Sequence, residues 1–171
     1  MQYDPRQSGG PPPPIEPTGF FTGVQWRPVI TGIVVDYIAT YVAMAAFFFG
    51  YLAKELSKKG EVTGEVIFEY MLSPEGLMAA LIIGGLCTML GGFVAGRKAV
   101  TMELKHGAFV GLGSLIVSLI EQTMRGEGMP LPEWYLFVSV VLVIPEGALG
   151  GLMAGWLKGV GGPVRPQRPL S

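Results

Sequence analysis

The chain's 171 residues allow one domain of modest size; half of them are apolar and only 15% are charged. With a mean hydropathy of +0.47 and so little charge, a soluble domain of this size could not keep its surface wet, so the composition points to a membrane protein. A net charge of −1 argues against a basic nucleic-acid-binding surface, and one cysteine, Cys87, excludes a disulfide framework or thiolate cluster within one chain.

In chain order, residues 1–24 read as a Pro/Gly-rich tail containing Gly9-Gly10-Pro11-Pro12-Pro13-Pro14. Proline fixes its own φ and lacks an amide donor, so this stretch is expected to be disordered or polyproline II, with or without a proline-recognising partner. Phe20, Phe21 and Trp26 precede the first apolar run, where rings anchor a helix at headgroup level. Residues 25–158 then form a transmembrane domain with four spans, at about 29–53, 76–96, 106–124 and 134–157. At about 1.5 Å per residue, a run of about 20 residues crosses the hydrocarbon as an α-helix. Residues 159–171 form a second tail. The expected fold class is therefore an all-α membrane protein with four transmembrane helices. Ala43-Met44-Ala45 resembles a signal-peptide cleavage site, but the long proline-rich leader, the lack of a basic n-region beyond Arg27 and an acid inside the run favour a retained span.

The Lys and Arg pattern sets orientation. The amino-terminal tail, the second loop (Arg97, Lys98, Lys105) and the carboxyl tail carry more of them than the first and third loops. Both termini are therefore expected in the cytoplasm. The first loop also holds Glu65 to Leu72, whose apolar spacing suits a short helix on the outer surface.

The second span ends Leu90-Gly91-Gly92-Phe93-Val94-Ala95-Gly96, and the fourth ends Leu149-Gly150-Gly151-Leu152-Met153-Ala154-Gly155. Both open with Pro-Glu, and Ser73 is placed to cap the second. A duplicated helical hairpin in one orientation is the simplest account. The fourth span is one residue longer between its proline and the shared leucine, which a π-bulge near Pro145 would absorb.

Glycines recur four residues apart: Gly92 and Gly96, Gly107 and Gly111, then Gly147, Gly151 and Gly155. Gly85 and Thr88 extend the first of these stripes. Such residues share a helix face and let backbones approach, so their expected job is packing within the bundle.

Two acids fall inside spans, Asp36 and Glu146. A carboxylate at that depth costs on the order of 3 kcal/mol, and the spans hold no Lys or Arg to offset it. Each must be protonated, face water or share a proton with the other. Gly32, Thr40 and Ala43 lie at helical spacing from Asp36, a small, partly polar face that points it inward. Glu146 follows Pro145, whose ring frees a carbonyl one turn earlier. One reading is a proton- or cation-coupled site between the first and fourth spans; the other is a buried structural hydrogen bond. Glu121 is read as marking the outer end of the third span, and His106 as an interfacial residue at its inner end. There is no phosphate loop, no HExxH and no credible Ser-His-Asp set, so neither an enzyme nor a cofactor is expected.

The run Gly91 to Lys98, the short basic loop, then His106-Gly107-Ala108 and Gly111, with Val35-Asp36 in the first span, resembles small bacterial four-helix membrane proteins of uncharacterised function. In that group the second helix ends Gly-Gly-x-x-Ala-Gly-Arg and the third opens His-Gly-Ala. The resemblance implies a bacterial inner-membrane location and no assigned activity. The proline-rich tail and the echo in the fourth span depart from the pattern. The sequence expectation is a non-enzymatic scaffold or accessory subunit in the lipid bilayer, alone, as a homo-oligomer or in a larger membrane complex. The alternative is a small proton- or cation-coupled carrier or channel using Asp36 and Glu146.

Overall fold

A computed structural model describes residues 19–59, 63–124 and 131–161. The proline-rich segment before Gly19, the tail after Gly161 and the third-loop residue Arg125 lie outside the described residues. Within them the chain is all-helical: α1 (Trp26–Lys59), α2 (Gly64–Leu72), α3 (Pro74–Lys98), α4 (Glu103–Met124) and α5 (Glu133–Gly161). Four helices, α1, α3, α4 and α5, are long and apolar enough to cross a membrane. Only 11% to 33% of each span's most apolar window is buried inside the protein, and Ile38, Phe49, Ile82, Leu86 and Phe137 are more than half exposed. In water this would be one large unpaired apolar surface. In a bilayer it is the solvated face, with every backbone group satisfied inside a helix.

The helix ends follow from local chemistry. Ser73 Oγ accepts from the Gly76 amide at 3.1 Å, Pro74 and Glu75 fill the first turn of α3, and Arg97 and Lys98 fill its last. These residues complement the helix dipole. The segment expected to form a short surface helix is α2, which buries none of its residues and is capped by Thr63. Tyr70 of α2 stacks on Tyr51 of α1 with ring centroids 3.6 Å apart.

Residues 19–24 form a turn whose Phe20 and Phe21, together with Trp26, surround Phe109 of α4 at 5.2 to 5.8 Å. Gly23 has φ +76°, and a Cβ there would lie 3.0 Å from Met102 Sδ. Nearby, α4 starts at Glu103 instead of His106; α1 runs six residues past its expected end and α5 four. His106, near the start of α4, is fully buried. Its Nε2 accepts the Gln25 amide at 2.8 Å and its Nδ1 lies 2.9 Å from Met102 O.

The four spans alternate in direction. The starts of α1 and α4 share one end with the ends of α3 and α5 (the near end); α2 lies at the other (the far end). Helix α3 packs against α5, α1 and α4, and α4 also packs against α5 and α1. Thus α1 and α5 lie on opposite sides of the α3–α4 pair. Buried residues concentrate in the near half, among them Val29, Ala95, His106, Phe109, Val110 and Ala154.

Backbone contacts make that half dense. A Cβ on Gly92 would strike the Gly147 carbonyl; one on Gly107 would strike the same carbonyl and Gly151; one on Gly111 would strike the Val143 carbonyl. Gly151 abuts Glu103 O and Gly107, and Gly96 abuts Gly151 and Ala154. These positions fuse α5 to α3 and α4 by close backbone approach. Two expected packing positions differ: Gly155 has only ordinary contacts, and Gly85 faces the Glu146 carboxyl instead of a backbone. A further seam, unforeseen in sequence, joins α1 to α3 through Gly32 and Gly91, where each added Cβ would come within 2.6 Å of the other's carbonyl oxygen.

The expected π-bulge is absent, since α5 is assigned as α-helix through Pro145. Gly91 faces α1, whereas its motif counterpart Gly150 faces Met89 and Phe93 of α3, and it is the next residue, Gly151, that faces α4. One residue turns a helix face by about 100°, which is enough to hand the contact to the neighbouring glycine.

Candidate functional site

Asp36 is 4% exposed, about ten residues and therefore roughly 15 Å along α1 from its start. Three hydroxyls converge on it. Ser114 Oγ of α4 donates to Oδ2 at 2.5 Å; Thr88 Oγ1 of α3 lies 3.3 Å from Oδ1 and 3.2 Å from Oδ2; Thr40 Oγ1, one turn along α1, lies 3.4 Å from Oδ1. Thr88 and Ser114 are themselves buried. The missing side chain at Gly91 lets Asp36 come this close to α3, because a Cβ there would lie 2.9 Å from Asp36 Cβ.

The polar ladder continues toward the far end. Tyr37 Oη lies 3.2 Å from Ser118 Oγ and 3.4 Å from Ser114 O. Tyr41 Oη donates to Glu121 Oε1 at 2.9 Å, so Glu121 has a partner on α1 at this end. A cavity of about 380 Å³ follows the ladder, lined by residues of all four spans: Asp36, Thr40 and Tyr41, Thr88, Ser118 and Glu121, and Tyr135. It ends at Asp36. On the near side of the carboxylate, Gly32, Gly91, Ala95 and Val110 close the bundle, so that a Cβ on Gly32 would sit 2.6 Å from Val110 Cγ2. The result is a one-sided vestibule.

Glu146 is placed differently. Its Oε1 lies 2.5 Å from where a Cβ on Gly85 would stand, and it lines a second cavity of about 130 Å³ with Ser139 and Leu81. Gly84, Thr88, Tyr135 and Val143 line both cavities, so the two acids occupy adjoining spaces on either side of a shared wall. They do not hydrogen-bond to each other, and α1 and α5 do not form a common interface. The partners of Asp36 come from α3 and α4 instead.

Ser114 was the residue sequence reasoning did not find. It shares a helix face with Gly107, Gly111 and Ser118, a stripe that changes from glycine to hydroxyl as it passes mid-span. Thr88 was visible on its stripe but only as a packing residue. Among the described residues no three of His, Cys, Asp and Glu gather to hold a metal ion.

Ser114→Ala is expected to lower the unfolding free energy by roughly 1.5–3 kcal/mol, since it removes a short hydrogen bond to a buried carboxyl group. Thermal unfolding in mild detergent checks this. A midpoint equal to that of the parent protein would mean that the Ser114–Asp36 contact contributes nothing.

No protein-family model, no curated protein and no solved structure matches this chain.

Proposed function

We propose that this multi-pass membrane protein is a small carrier that takes up a proton or small monovalent cation through the vestibule and holds it at Asp36. One observation carries the reading: a polar cavity about 380 Å³ in volume, closed at its near end, terminates on a buried carboxyl group in mid-span. An acid at that depth costs on the order of 3 kcal/mol, which an apolar residue in a packing role would not incur. The surrounding hydroxyls suit an exchanging occupant. Each donates to a bare carboxylate and can turn its lone pairs toward a cation that replaces a proton. Glu146, behind the shared wall, is the second acid of the same interior. With both termini placed in the cytoplasm by the Lys and Arg bias, the vestibule faces outward, and the resemblance seen in sequence favours a bacterial inner membrane.

A scaffold or accessory-subunit role accounts for the glycine seams and leaves the vestibule without a purpose. The two readings separate in liposomes. With a pH-sensitive dye inside and a proton, Na⁺ or K⁺ gradient imposed, the parent protein is expected to pass one of these ions. Asp36→Asn should fall to the protein-free background. Gly84→Leu tests the path, because nothing lies within 4 Å of a Cβ at Gly84 and a larger side chain there fills the cavity without touching the glycine seams. Flux that persists in both folded variants, or is missing from the folded parent, would remove Asp36 from any transport role.

A further inference from the structure

The bilayer-facing side of the molecule carries a second cavity with a different character. A groove of about 420 Å³ runs between α3 and α5, lined by Met78, Ile82 and Leu86 on one side and Trp134 and Leu142 on the other, with Glu146 at its deep end. Met78, Ile82, Leu86, Trp134 and Leu142 are 41% to 61% exposed, so the groove opens on the surface that the spans present to lipid. Glu146 makes no hydrogen bond and no ion pair with any described residue. The Lys and Arg residues of the described spans sit in their end turns. The carboxyl group therefore has no hydrogen-bonding partner among the described residues, and it stands between this apolar trough and the small cavity it shares with Thr88, Tyr135 and Ser139. Gly85 supplies its space, since any larger residue would collide with it.

An unpartnered acid at the edge of an apolar groove is stabilised by a positive group that arrives with an apolar body of its own. We propose that this groove binds a lipophilic organic cation, its apolar substituents along Met78, Ile82, Leu86 and Leu142 and its charge against Glu146. Depth selects the occupant. Glu146 lies twelve residues beyond Trp134 on α5, about 18 Å of helix, and the ammonium group of a phospholipid is held at the headgroup level. A charge that reaches Glu146 from the bilayer must be shielded by its own substituents, as in quaternary phosphonium or aryl-substituted ammonium ions. The groove takes its ligand from the membrane plane and the vestibule from the far end, so the two occupants reach their acids by separate routes.

The test uses radiolabelled tetraphenylphosphonium and the full-length protein in phosphatidylcholine nanodiscs, with empty nanodiscs as the partition background. Saturable binding of one cation per chain is expected, weakened at least tenfold in Glu146→Gln and unchanged in Asp36→Asn. Tetraphenylborate, of nearly the same shape and opposite charge, should show no saturable site on the parent protein; this comparison needs no variant to fold. Binding of the borate as tight as that of the phosphonium, equal phosphonium affinity in folded Glu146→Gln, or no saturable phosphonium site on the folded parent would each overturn the proposal. A loss in Asp36→Asn equal to that in Glu146→Gln would overturn the separation of the two sites.

Discussion

Gly147→Val is expected to yield no folded, monodisperse protein. Position 147 is where three helices meet backbone to backbone: a Cβ there would run into Gly107 O and lie 2.8 Å from the Gly111 amide nitrogen, while the Gly147 carbonyl already fills the space beside Gly92 and Gly107. An overpacked side chain usually costs about 1–3 kcal/mol because neighbouring side chains swing away. Here the obstacles are main-chain atoms of a rigid helix, so α5 would have to separate from α4, and its contacts with α3 would go with it. Gly84→Ala and Gly155→Ala are the controls, the first with open space around it and the second with its nearest neighbour at 3.5 Å. Recovery from size-exclusion chromatography and the thermal midpoint measure the difference. A Gly147→Val protein as stable as the controls would refute backbone packing as the source of the bundle's cohesion.

Lys158→Met should also produce a large loss, centred on the near end. The Lys158 ammonium donates to Gly96 O at 2.8 Å, to Ala99 O, and to Glu103 Oε1 at 3.1 Å. One side chain of α5 thus caps the end of α3 and pairs with the first residue of α4. Both partners of the ion pair are less than one-third exposed, at 29% and 22%, so solvent only partly screens them. Removing the cation leaves two carbonyls and a carboxylate short of a donor, which is expected to cost about 2–3 kcal/mol. Glu103→Gln in the same chain should recover part of that loss, because the orphaned charge is gone. A double-mutant cycle on the thermal midpoint measures the coupling, and a coupling of zero would make the contact incidental.

The spans, their number and the caps of α3 could be read from sequence because each depends on a local property: a long apolar run, a serine before Pro-Glu, basic residues in a last turn. Which glycine meets which was not local. Gly91 and Gly92 are adjacent yet serve α1 and α5 respectively, and nothing in the run Leu90 to Gly96 distinguishes them. Asp36 could be predicted to point inward from Gly32 and Thr40, but its strongest partner, Ser114, lies 78 residues away on a helix whose register only packing fixes. His106 misled for a related reason. Its basic neighbours suggest the interface, whereas its burial brings its ring against the amide of Gln25, 81 residues away. The pairing of Glu146 with a lipid-facing groove was likewise out of reach, since the groove is formed jointly by α3 and α5.

The smooth near-half seams bear on how such a bundle could move. Where Gly92, Gly107, Gly147 and Gly151 touch, no knob sits in a hole, so one helix can translate along another without any side chain first leaving its rotamer well. Interlocked leucines would oppose that displacement at every turn; bare main chain opposes it only through the contacts that slide past one another. A stroke of this shear type would shift α5 along α3 and α4 while the helices stay in contact, and lipid would not enter the gap.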